Sequence, residues 1–231
     1  LLAPYFGASE VVWANTIGIV LVALAIGYFI GGKIADRRPS KTDLSAAVML
    51  GAVLTALLPF VGRPLLNVGV QALDEISAGA FVGSMVATLL LLAIPMLVLG
   101  TVSPWALRIG MADVDKLAAG ALAGRLYAIS TVGSLVGTLA CALILVPGIG
   151  TRRTFLLLAL LLALVALPGL LGRWYAVVIP VTIAGILILP VGPTKAQTAH
   201  GAVIFETDTR QQYARVIEDE DGSRVLELNE G

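Results

Sequence analysis

The chain has 231 residues, of which 58% are hydrophobic and 13% charged, with 15 basic and 15 acidic side chains. Its mean hydropathy is +0.96. A soluble fold of this size cannot hide so much apolar surface, and a zero net charge lacks the basic face that nucleic acid requires, so the pattern is that of a protein covered by lipid. Six stretches are apolar and long enough to span about 30 Å of hydrocarbon at 1.5 Å per residue. They run from about Val11 to Ile30, Leu44 to Val61, Ala80 to Leu107, Ala123 to Val146, Thr154 to Leu171 and Tyr175 to Leu189. The third exceeds what a bilayer needs, which predicts tilt, a kink near Pro95 or a helix end near Pro104. Pro147-Gly148 reads as the close of the fourth. Met111 to Gly120 has the composition of a short interfacial helix.

From Thr198 the composition changes. Ala202 to Glu206, Tyr213 to Glu218 and Arg224 to Leu228 read as three strands, with Asp221-Gly222 as a hairpin turn pair. The expected fold is therefore an all-α polytopic membrane bundle of about six transmembrane helices (1–192), a linker (193–201) and a short β-meander (202–231). Three short strands barely fold alone, so the meander reads as the opening of a larger domain. The absence of an initial methionine and the end inside a strand-and-turn pattern read as a piece of a longer protein.

Charge divides the loops. Lys33, Arg37, Arg38, Lys41, Arg108, Lys116, Arg125 and Arg173 fall on one side if six helices alternate, and Arg63, Arg152, Arg153 and Lys195 on the other. The positive-inside rule makes loops 33–43 and 108–125 cytoplasmic in a multi-pass cell-membrane protein, and sends the tail outside. Trp13, Trp105, Trp174 and Tyr175, near helix ends, read as an aromatic belt.

Few residues carry chemistry. Single Cys141 forms neither an internal disulfide nor a zinc site, and single His200 reads as a linker residue. There is no catalytic Ser/His/Asp set, metal cluster or phosphate loop, and no ionisable side chain at mid-span. Gly27-x-x-x-Gly31, Gly120-x-x-x-Gly124 and Gly133-x-x-x-Gly137 predict close helix packing. Gly32, Asp36 and Arg37 resemble the G-x-x-x-D-R loop of major facilitator transporters, in which the Asp pairs with a helix end and with an Arg of a neighbouring loop. A positive-inside stop signal explains the same residues equally.

Two passages, Ala25 to Arg37 and Val203 to Gly231, together with Arg125-Leu126-Tyr127-Ala128 before Gly133 and Gly137, resemble the membrane-fused spermidine synthase-like proteins. That resemblance implies membrane helices ahead of a polyamine aminopropyltransferase domain, with decarboxylated S-adenosylmethionine as cofactor and a polyamine as substrate. The catalytic aspartates and glycine-rich loop of that family lie beyond the meander, so the present residues hold no cofactor site of their own except one position. Gln212 matches the family's cofactor-binding Gln, while Gln211 stands where Tyr is usual; an exposed strand-edge amide is the equal alternative. Small-solute transport and a purely structural anchor are the competing expectations. Partners expected on these grounds are the lipid bilayer, the protein's own following domain and a polyamine.

Overall fold

A computed structural model describes residues 10–74, 79–112, 119–189, 202–208, 213–218 and 222–228. Helix α1 (Glu10–Arg37) carries Glu10 in its first turn and Arg37 in its last, both matching the helix dipole. Pro39 ends it, because the residue before a proline is driven out of helical geometry. Ser40 then caps α2 (Lys41–Asp74): its Oγ accepts a hydrogen bond of 3.3 Å from the Asp43 N–H. Helix α3 (Gly79–Gly100) gives way at Thr101 to α4 (Val102–Gly110). The third predicted span is thus broken at Gly100-Thr101, while Pro95 stays inside α3. Pro104 explains the site: lacking an N–H, it cannot bond the Gly100 carbonyl, and it is tolerated in the first turn of α4. The Thr101 hydroxyl donates to the Val98 carbonyl at 2.7 Å, sealing the break.

Helix α5 (Ala119–Ala140) continues through a π-helical segment (Cys141–Leu145) into α6 (Val146–Ala166). The sequence reads Pro147-Gly148 as the close of the fourth span, but the helix runs on through it. The widened turn just before it makes room for the proline ring, and the direction changes at Gly150, whose φ of 78° and ψ of 164° are open essentially to glycine alone. A 3₁₀ turn (Leu167–Leu170) and Gly172, at φ 90°, lead to α7 (Trp174–Ile188).

Among the described residues, four stretches have the length and apolarity to cross a membrane: Val12–Arg37, Lys41–Gly62, Met85–Gly110 and Ala119–Leu170. The count differs from the expected six for two reasons. The fourth and fifth expected spans are joined in one helical run of 52 residues bent at Gly150, and Trp174–Ile188 is a shorter apolar helix.

Packing relies on small residues. A Cβ on Gly27 would strike the Leu97 carbonyl oxygen and lie 3.0 Å from Gly100 Cα; one on Gly31 would lie 2.5 Å from Thr101 Cα. Helices α1 and α3 therefore touch backbone to backbone. The larger core joins Val48, Met49 and Ala52 of α2 to Leu156, Ala159, Ala163 and Ala166 of α6, with Leu170 and with Ala176 and Ile183 of α7. Without a hydrophobic push between helices in lipid, such alanine-rich seams hold by close van der Waals approach. Gly120, Gly124, Gly133 and Gly137 have open space where a Cβ would be, and no residue of α5 is buried. The packing expected of those two motifs is not found: among the described residues α5 meets α4 near its start, where Leu122 lies beside Gly110, and its glycines face open space.

The strands β1 (Ala202–Asp208), β2 (Tyr213–Glu218) and β3 (Arg224–Leu228) form an antiparallel meander in the order β1-β2-β3. Phe205, Val216 and Leu226 stand in register across it, next to a bulge between Val203 and Phe205. Gly222, at φ 79°, makes the β2–β3 turn, and the Arg224 guanidinium donates to Glu218 Oε1 at 3.3 Å beside it. The first strand runs two residues past its predicted end.

Candidate functional site

Contacts distant in sequence bring the ends of several helices together. Asp36, at the close of α1, accepts a hydrogen bond of 3.0 Å from Arg108 Nε in α4, 72 residues later. Gly169 abuts Ser45 and the Lys41 carbonyl at the start of α2. Arg173, before α7, is attracted to Asp43 of α2. One end of the bundle thereby collects Lys33, Arg37, Arg38, Lys41, Arg108 and Arg173 around Asp36 and Asp43, all in positions fixed by helix ends.

Three of these cations are held in different ways. Lys33 Nζ lies 4.1 Å from the centroid of the Phe29 ring, one turn earlier in α1, a cation–π contact. Arg173 donates a 2.6 Å hydrogen bond to the Tyr175 hydroxyl, which, with attraction to that oxygen and more weakly to Asp43, holds its pKa above the ordinary arginine value. The Asp36–Arg108 pair keeps side-chain exposures of 72% and 44%, so solvent limits it to about 0–1 kcal/mol. Its value is geometric: it ties the last turn of α1 to α4. Of the loop residues singled out from sequence, Asp36 has this partner, Arg37 is exposed, and Gly32 has open space around its Cα. The packing glycine of that region is Gly31. Gln212 lies outside the described residues, as do 113–118 and the linker.

Two apolar grooves lie on the flanks. One, about 260 Å³, runs between α1 and α3 beside Val22 and Ile94. The other, about 360 Å³, runs between α2 and α7 from Val53 and Val178 to Phe60 and Ile186. At the second, the Arg152 guanidinium sits 4.7 Å above the Phe60 ring. Neither groove is visible in sequence, because each is made by two segments far apart in the chain. Trp105 is also misplaced by sequence reasoning: it is 6% exposed, not part of a belt, because α4 lies against α1 and α2. Trp13 and Trp174 are exposed, and Trp174 meets Tyr175 edge-on at 6.1 Å.

Among the described residues no group of three His, Cys, Asp or Glu side chains is placed to hold a metal ion. The described geometry therefore offers charge pairing at one end, apolar grooves on the sides and a small sheet at the tail. Comparison with protein-family models, with curated proteins and with solved structures finds no match.

Proposed function

We propose that these helices are the membrane module of a spermidine synthase-like protein, and that the meander is the first layer of its aminopropyltransferase domain. The observation that supports this reading is the three-stranded antiparallel order β1-β2-β3 over the very residues whose sequence resembles the start of that domain. A sheet with Phe205 and Leu226 exposed on it is a surface that a following domain can cover. In this reading six helical segments cross the cell membrane, with α7 as the short last span, and the transfer chemistry lies beyond the meander. A neutral polyamine amine attacks the methylene carbon beside the sulfonium of decarboxylated S-adenosylmethionine; the carbon–sulfur bond breaks, methylthioadenosine leaves, and a carboxylate takes the amine proton.

A second reading is small-solute transport, favoured by the Asp36–Arg108 pair at the place where the facilitator-like loop motif calls for an Asp–Arg contact. One experiment separates them. The protein, carrying the domain that follows the meander, is reconstituted in liposomes with putrescine and decarboxylated S-adenosylmethionine. Spermidine production, with the cofactor KM raised by Gln212→Ala, is the expected result. Uptake of labelled putrescine without any product would replace the first reading by the second, and the absence of both would leave a structural anchor.

A further inference from the structure

The joint between α1 and α2 carries more positive charge than its own carboxylates can match. Asp36 is taken by Arg108 at 3.0 Å, and Asp43 lies where it attracts Arg173. Lys33 is folded onto the Phe29 ring. Arg37, Arg38 and Lys41 are left: all three are exposed, and their side chains have no partner among the described residues. Only Pro39 and Ser40 separate Arg38 from Lys41, and the turn is tight, the Ser40 N–H donating to the Arg38 carbonyl at 2.8 Å while Ser40 caps α2. Their depth follows from the helices. The apolar run of α1 ends at Ile30 and that of α2 begins at Leu44. Arg37 and Arg38 thus stand about 10–12 Å past the first, and Lys41 about 4.5 Å from the second. Side chains as long as these reach lipid phosphates from there, because the headgroup layer is about 5–8 Å thick on each side of the hydrocarbon. On the same face of α1 as Arg37, toward the hydrocarbon, lie Ile34, Ile30 and Ile26, all exposed. A ligand that satisfies both levels has a negative head and hydrocarbon tails.

We propose that this joint seats the headgroup of an anionic phospholipid of the surrounding leaflet, its phosphate among Arg37, Arg38 and Lys41 and its acyl chains along Ile34, Ile30 and Ile26. Charge and depth select this occupant together. A zwitterionic headgroup brings its own cation to the same place and gains less, and a free phosphate makes no use of the apolar stripe. The inference holds for a transferase and a transporter alike; it rests only on the helices standing in a bilayer.

The test is native mass spectrometry of the full chain released from mixed micelles containing phosphatidylglycerol and phosphatidylcholine of matched chain length. Each cation at a membrane surface favours anionic lipid by about fivefold, so with three of them the wild type should retain phosphatidylglycerol about a hundredfold better than phosphatidylcholine. Arg37→Gln, Arg38→Gln and Lys41→Gln, at exposed positions where folding is not at stake, should each lower that ratio about fivefold, and the triple replacement should bring it near one. Arg37→Lys with Arg38→Lys should keep it, and Arg153→Gln, at the start of the straight part of α6, should leave it unchanged. Equal retention of the two lipids by the wild type, a preference that survives the triple replacement, or one abolished by excess inorganic phosphate would each overturn the proposal. Retention of neither lipid would overturn it together with the membrane reading, whereas equal retention of both leaves that reading standing.

Discussion

Gly27 and Gly137 stand in the same kind of motif, yet their surroundings are opposite. A methyl group at Gly27 must push against the Leu97 carbonyl and Gly100 Cα, which are backbone and cannot turn aside. A methyl group at Gly137 meets nothing within 4 Å. Gly27→Ala should therefore destabilise the protein by about 1–3 kcal/mol, as overpacking does. Gly137→Ala should be neutral or stabilising by about 0.5–1 kcal/mol, since alanine loses less freedom in a helix. Thermal unfolding of the two variants in one detergent reads the contrast directly, and a matching loss in both would contradict it. The motif alone does not distinguish the two glycines, because spacing reports a shared face and not what lies opposite. Asp36 and Arg108 show the same limit: the loop resemblance implies an arginine partner for Asp36, but only the placed helices identify it as Arg108, 72 positions on.

At the scale of elements, the helices were legible and their joints were not. Hydropathy and length mark where α1, α2 and the Ala119–Leu170 run lie, since lipid exposure leaves its signature in composition. The joints depend on which backbone group loses its partner. Pro147 looks like a terminator, yet the π segment Cys141–Leu145 absorbs it and the bend is deferred to Gly150. That glycine should be the least replaceable residue of the joint. Gly150→Ala forces an L-residue to a backbone geometry that costs about 1–3 kcal/mol. We expect a lowered unfolding temperature and faster hydrogen exchange at Thr151 to Thr154, whereas Gly148→Ala, with open space at its Cα and ordinary geometry, should leave both unchanged. Equal effects of the two would show that the bend does not rest on Gly150. The meander, by contrast, was readable nearly strand for strand, because alternation and the Asp221-Gly222 turn are local signals; only its bulge and the two extra residues of β1 escaped.

At the scale of the molecule, the cations of Lys33, Arg37, Arg38, Lys41, Arg108 and Arg173 share one end, and Arg152 with Phe60 lies further along α2, past its middle. The positive-inside rule then predicts that the first end faces the cytoplasm. With Cys141→Ala as background, a cysteine at exposed Ala112 should be protected from an impermeant thiol reagent in intact cells, and one at exposed Ser223 should be labelled. Protection of both until lysis would mean that α7, only 15 residues long, does not cross, and would put the meander on the cytoplasmic side where a polyamine enzyme finds its substrates. Composition set this orientation in view from the beginning, whereas the meeting of the helix ends required the fold.

The glycine contact between α1 and α3 works in both directions: the Cβ position of Gly27 points at the Leu97 oxygen, and that of Gly100 lies 2.9 Å from the Leu24 oxygen. Each glycine thus directs a Cα–H toward a carbonyl of the other helix, a weak bond of about 0.5–1 kcal/mol. Reciprocal bonds of this kind fix axial register, because sliding by one turn breaks them together. Helices α1, α3 and α4 are thereby tied in register, pinned again at Asp36–Arg108, whereas α7 is held through Ala176 and Ile183 in the core it shares with α2 and α6.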